Sequence, residues 1–307
     1  MISSDIIFGI FFLFQTCIGF MGNSLLFTFY IYTFLILPHK KKTVDMIFAH
    51  LTLANALTLV FRGIPSAISS FEIRLEMGDT RCKAMLYIQR VTRSISLCTT
   101  TLQSIFQAVT ITPNNHKWAW LKYRISAFIQ PSLLFFWMMN FVIYSVIILQ
   151  TVANRNITDI RLGYHVAYCK SNAHNGQISS IFLSTLFIRD LSFLFLMTCS
   201  SIYMVTILYK HHKAAQNVRS ISQSSSHSPE NKAARVILIL VSCFVFFYWT
   251  NTFLTIYLFY TSKKKQLEKF NNFFSSCYPT ISSLCLIKNE NRISRINFMK
   301  ARKRLLF

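Results

Sequence analysis

Residues 6–38 read IIFGIFFLFQTCIGFMGNSLLFTFYIYTFLILP and carry no charged side chain. A helix needs roughly 20 apolar residues to cross the hydrocarbon core of a bilayer, and this run is longer than that. Working outward along the chain, charge is also missing from 125–154, 236–262 and 270–287. Helices of soluble proteins keep a polar face, so a soluble fold does not supply several such runs. An all-α membrane protein is expected.

Composition agrees. Hydrophobic residues make up 53% of the 307 positions, 30 of them phenylalanine, against 14% charged. Spans are expected at about 6–37, 45–70, 82–112, 125–150, 178–208, 234–260 and 268–287. They use nearly the whole chain, so 1–307 read as a single seven-transmembrane helix bundle with a basic tail at 288–307. The first run lacks a basic leading segment and an A-x-A-like closing site. It is expected to remain as a span rather than be cleaved. A net charge of +22 raises the question of nucleic acid. The bases sit in loops and tail beside apolar spans, however, where they record membrane orientation, and no nucleic-acid partner is expected.

That orientation can be read by comparing alternate loops. Lys40, Lys41, Lys42, Lys117, Lys122, Arg124, Lys210, Lys213, Arg219, Lys232, Arg235 and the tail bases fall on one side. About half as many fall on the other: Arg74, Arg81, Arg155, Arg161, Lys170, Lys263, Lys264, Lys265 and Lys269. Basic segments stay inside, which predicts an extracellular N-terminus and a cytoplasmic C-terminus. Lys263 to Lys265 run against the bias. The N-x-[ST] sequon Asn156-Ile157-Thr158 lies in the long loop after the fourth span. That loop is extracellular in this topology, so Asn156 is a candidate glycosylation site. Residues 220–230, SISQSSSHSPE, read as a flexible cytoplasmic connector with serines open to phosphorylation. No internal repeat is visible.

Most of the eight cysteines lie inside spans as small apolar packing residues. Cys82, at the outer start of the third span, and Cys169, in the sequon loop, both face an oxidising compartment. A disulfide between them is chemically reasonable; two unrelated thiols is the other reading. No HExxH, CxxC, His/Cys cluster, glycine-rich phosphate loop or carboxylate dyad appears. No metal, no cofactor and no catalysis are expected.

Charges inside spans are expensive and point to function. Arg62 lies late in the second span, Arg90 and Arg93 early in the third, and Arg189 with Asp190 early in the fifth. At 1.5 Å per residue, Arg90 and Arg93 lie roughly 12 and 16 Å below Cys82. Arg90 and Arg93 share a helix face, whereas Arg189 and Asp190 are adjacent and do not. Asp190 is therefore expected to seek a basic partner on another helix, with Arg93 the candidate. One acid does not neutralise four arginines. The surplus positive charge could receive an anionic group on a small, largely apolar ligand, or the arginines could be structural or snorkel to headgroups. Gln89 and Gln103 add polar contacts on the same span. Pro65, Pro131 and Pro279 each remove a helix hydrogen bond and can kink spans two, four and seven.

Seven spans, an outside N-terminus and the Cys82/Cys169 pair resemble a G-protein-coupled receptor, and Gly22-Asn23 fits the rhodopsin-like group. Other hallmarks of that group differ. The third span ends without an acidic-Arg-aromatic triplet, Asn55 stands where aspartate is usual, and CYPTIS (277–282) replaces Asn-Pro-x-x-Tyr. HLTLAN (50–55), RGIP (62–65), RVTRSISLCTT (90–100), SIFQAVTITP (104–113) and HSPENKAARVILILVSCFVFFYW (227–249) together look like vomeronasal type 1 receptors. The resemblance implies detection of pheromone-like small molecules and coupling to a heterotrimeric Gi/Go protein at the plasma membrane. It also implies that SIFQAVTITP lies near the G protein, so that Gln107, Thr110, Thr112 and nearby Lys117 face it. RVTR looks like a family feature, which sets a structural role for Arg90 and Arg93 beside ligand contact. Against this reading stand a bitter-taste-type receptor and an anion transporter or channel with intramembrane arginines along its path.

Overall fold

The expected runs fold as long helices. The computed structural model describes residues 4–40, 42–71, 78–113, 119–153, 165–166, 169–171, 176–219, 229–260 and 265–290. Helix α1 spans Ser4–Ile36, α2 Thr43–Thr58, α3 Ile64–Ser70, α4 Asp79–Ile111, α5 Ala119–Gln150, α6 Gly176–Arg219, α7 Pro229–Tyr260 and α8 Lys265–Asn289. Most ends fall within a few residues of those expected. Helix α6 differs: it continues past 208 to Arg219, and its 44 residues make a rod of about 66 Å. Pro229 and Glu230, read above as connector, open α7 instead. A proline fits a first helical turn because its missing N–H has no intrahelical partner there. The rest of the connector, 220–228, lies outside the described residues.

Helices α2 and α3 are one rod joined by a π turn, Leu59–Gly63. Pro65 explains it. Its ring crowds the carbonyl four residues back and supplies no N–H, and a wider turn relieves both problems without ending the helix. Pro131 and Pro279 are accommodated inside α5 and α8.

Helix α4 occupies the middle of the bundle, against α2, α5, α6 and α7, while α1 packs on α2 and α8, and α7 on α8. Its buried positions include Thr92, Ser94, Ser96, Thr99, Thr100, Thr101 and Gln103. Several hydroxyls back-bond to their own helix, such as Thr100 to the Ser96 carbonyl at 2.7 Å and Thr101 to the Leu97 carbonyl at 2.9 Å. Sheltered from lipid by its neighbours, α4 need not be apolar. Among the described residues, four stretches are long and apolar enough to cross a membrane: Ile6–Ile36, Thr43–Ile68, Arg124–Leu149 and Ser184–Lys210; Val241–Leu254 on α7 is a shorter apolar stretch. The outer surface carries exposed Phe14, Met21, Leu35, Phe135, Leu149 and Phe195. An apolar surface this extensive belongs in contact with lipid.

The chain between α5 and α6 carries strands that the sequence reading did not foresee: β1 (Thr151–Ala153), β2 (His165–Val166) and β3 (Cys169–Ser171). They form an antiparallel sheet in the order β1-β3-β2, with Ala153 opposite Cys169. Strand β1 also lies against α4, so the sheet sits at the Cys82 end of the bundle.

Candidate functional site

Burying a guanidinium is costly unless its donors are satisfied, so the partners of the arginines define the site. On α6, the Arg189 Nε and Nη2 donate to Asp190 Oδ1 at 3.0 and 2.6 Å. Nη1 donates to Asn140 Oδ1 at 3.2 Å, and Nη2 also donates to the Tyr144 hydroxyl at 2.9 Å. The Tyr144 ring lies 5.4 Å from the guanidinium carbon. This corrects the expectation that Asp190 pairs with Arg93. Adjacent residues diverge by about 100° around a helix, but the long arginine side chain folds back and closes the gap. The pair is largely buried, with side chains 13% and 19% exposed.

The other Asp190 oxygen, Oδ2, accepts a short hydrogen bond from the Tyr248 hydroxyl on α7. Arg93 reaches the same residue from α4 by a different contact: its guanidinium carbon stands 4.9 Å above the Tyr248 ring. A cation over an aromatic face is attracted by the ring quadrupole. Arg93 Nη1 also lies 3.5 Å from Ser275 Oγ on α8. Helices α4, α6, α7 and α8 therefore meet around one tyrosine.

Beside this cluster is a cavity of about 30 Å³, lined among others by Arg93, Phe247, Tyr248, Asn251, Phe274 and Ser275. It has room for about two waters. A larger guest requires the lining to move apart. Below the charges, the lining continues into a polar core. There Ser96 donates to Asn55 Oδ1 at 2.7 Å, Asn55 Nδ2 donates to Ser282 Oγ at 3.1 Å, and the Thr100 and Tyr278 hydroxyls lie 2.9 Å apart.

Of the other candidates, Arg62 is 3% exposed and donates from Nη2 to Asn272 Oδ1 on α8 at 3.0 Å. The π turn carries Arg62, and so sets the direction in which it leaves the helix. Gln89 and Gln103 are buried, and Arg90 is half-buried. Arg93 alone of the six candidate ligand residues lines the cavity. At the far end of α4, Thr110 is exposed and Gln107 half-buried, whereas Thr112 is buried with its hydroxyl 3.1 Å from that of Tyr203 on α6. Lys117 and Asn156 lie outside the described residues.

Cys82 is buried and disulfide-bonded. Cys17, Cys98, Cys199, Cys243, Cys277 and Cys285 are free thiols. The Cys169 backbone belongs to β3, and its side chain lies outside the described ones. Sequence reasoning missed Tyr248, Tyr144, Asn140, Asn251, Asn272 and Ser275. All sit in charge-free runs, and the available signal was a polar side chain within an apolar span.

Apolar helices long enough to cross a membrane, packed around a buried charged cluster and cavity, define the class as a multi-pass helical membrane protein. The model of the vomeronasal organ pheromone receptor family matches residues 6–299, and the chain belongs to that family. It is similar to vomeronasal type-1 receptor 1 of Gorilla gorilla gorilla, 33% identical over 97% of this chain and 84% of that one. It is also similar to vomeronasal type-1 receptor 90 of Rattus norvegicus, 33% identical over 94% and 91%. Olfactory receptor class A-like protein 1 of Danio rerio is 28% identical over 93% and 90%. Membership makes the chain a chemosensory G-protein-coupled receptor of the plasma membrane, within a receptor family rather than an enzyme family.

Proposed function

We propose that this receptor crosses the membrane seven times with its N-terminus outside. It binds a small pheromone-like molecule from the extracellular side and activates a Gi/Go-type G protein. The observation that carries the reading is the cavity between α4, α7 and α8, where Arg93 and Tyr248 meet Phe247, Phe274 and Asn251. A ligand site is concave, mostly apolar and fixed by a few polar groups, and this lining has that chemistry. Arg93 is the principal ligand contact. Arg62, Gln89, Arg90, Arg189 and Asp190 shape and balance the charge around it. The disulfide of Cys82 joins it to Cys169 and holds the sheet across the mouth, and Asn156 in the same loop carries a glycan. Gln107, Thr110, Thr112 and Lys117 form the end of the bundle facing the G protein.

A ligand switches the receptor by binding the active helix arrangement more tightly than the resting one. The test is calcium imaging in cells expressing the chain with a promiscuous G protein, with surface labelling of an N-terminal tag in unpermeabilised cells. Neutral and anionic small molecules are applied as matched pairs. Responses that vanish in Arg93→Ala at unchanged surface level, and persist in Arg90→Ala, are expected. Responses that survive Arg93→Ala would remove that arginine from the ligand site. Repeating the active conditions in pertussis-toxin-treated cells with endogenous G proteins tests the Gi/Go assignment, which predicts loss of signal.

A further inference from the structure

Tyr248 holds two contacts of different kind. Its ring face supports the Arg93 guanidinium at the cavity wall. Its hydroxyl donates across the α6–α7 boundary to Asp190. Arg189 grips that carboxylate through the other oxygen and is itself tied to Asn140 and Tyr144 on α5. Among the described residues, α6 and α7 touch over a much shorter stretch than α7 and α8. A single hydrogen bond across a sparse contact has more influence on helix position than one inside a dense interface. Phe244 packs one turn away from Tyr248, stacked on it and edge-on to Tyr278, so the tyrosine cannot move without disturbing the α7–α8 seam.

We infer that Tyr248 is a positioning residue that couples the cavity to the helix arrangement. Its bond to Asp190 holds α7 against α6 in the resting receptor, and occupation of the cavity releases it by drawing Arg93 off the ring or displacing the ring itself. The carboxylate stays compensated by Arg189 when the tyrosine leaves, so opening this bond strands no unpaired charge. That asymmetry is what lets the Tyr248–Asp190 bond, rather than the Arg189–Asp190 pair, act as the movable element. The inference rests on the receptor coupling to a G protein.

Tyr248→Phe keeps the ring for Arg93 and removes only the hydroxyl. The experiment fuses the full-length receptor to a promiscuous Gα subunit and measures ligand-free nucleotide exchange per receptor in membranes, beside the calcium response to the molecule panel. Tyr248→Phe is expected to raise ligand-free exchange about threefold, the scale set by one interhelical hydrogen bond in a membrane protein. The charge-neutral double change Arg189→Gln with Asp190→Ala removes the acceptor of the same bond from α6. It decides the matter if Tyr248→Phe does not reach the membrane. Ligand-free exchange at the wild-type level in whichever of these variants reaches the membrane, with the wild type responding to the panel, overturns the role of Tyr248 alone. No exchange from any form under any condition overturns the coupling on which it rests.

Discussion

Ser96 on α4 donates a 2.7 Å hydrogen bond to the side-chain oxygen of Asn55 on α2, and both residues are buried. The Asn55 amide nitrogen donates in turn to Ser282 on α8. One side chain with a donor and an acceptor at the same carbon thus ties three helices. Asn55→Leu removes both links. Interhelical bonds of this kind are worth about 0.6 kcal/mol each and at most about 1.7, so a loss of about 1–2 kcal/mol is expected. The check is a thermal unfolding curve in detergent. Asn55→Gln, which keeps both groups one methylene further out, should recover part of the loss.

Close approach of α1 to α8 depends on glycine. A Cβ at Gly19 would stand 2.4 Å from Thr280 Oγ1 and 2.9 Å from Leu59 Cδ1, and one at Gly22 would stand 2.7 Å from Ser283 Oγ. Gly19→Ala should cost about 1–3 kcal/mol by overpacking and reduce surface receptor. Gly78, where an added Cβ meets nothing within 4 Å, serves as the comparison and should tolerate alanine with little change.

Arg189 and Asp190 should behave as a unit. Removing one member of a buried pair leaves a charge uncompensated, at about 3–5 kcal/mol. Partial exposure of both side chains puts the expected cost at the low end. Arg189→Gln alone should therefore deplete surface receptor more than Arg189→Gln combined with Asp190→Asn. Flow cytometry of a tagged receptor reads the order, and a double variant worse than the single would contradict the pairing.

A disulfide between Cys82 and Cys169 predicts non-additivity. Cys82→Ser and Cys169→Ser should each lower stability by about 2–5 kcal/mol, the range for losing a native disulfide, and the double variant should be no worse than either. Additive losses in the same unfolding assay would mean that the two sulfurs are not joined.

Asn156→Gln should abolish the mobility shift that a glycosidase produces in receptor from mammalian cells. Persistence of the shift would relocate the glycan, and absence of any shift in the parent chain would count against an extracellular loop after α5.

Much of this architecture is legible from local chemistry. Charge-free runs longer than a bilayer is thick can fold only with their backbone groups bonded internally, so the helices and most of their ends follow from the chain itself. The arginines and Asp190 could be singled out for a similar reason, since a charge in an apolar span draws notice wherever it sits. Tertiary structure decided their partners. Helical spacing reports which residues share a face on one helix, and says nothing of which side chain on another helix comes within hydrogen-bonding reach. Asp190 illustrates the gap: adjacency argued against Arg189, yet the folded-back guanidinium reaches it, while Arg93 finds the Tyr248 ring instead. The polarity of α4 likewise makes sense only once its neighbours enclose it. Burial, and with it the cost of a polar group and the identity of whatever satisfies it, belongs to the assembled bundle and not to any one segment.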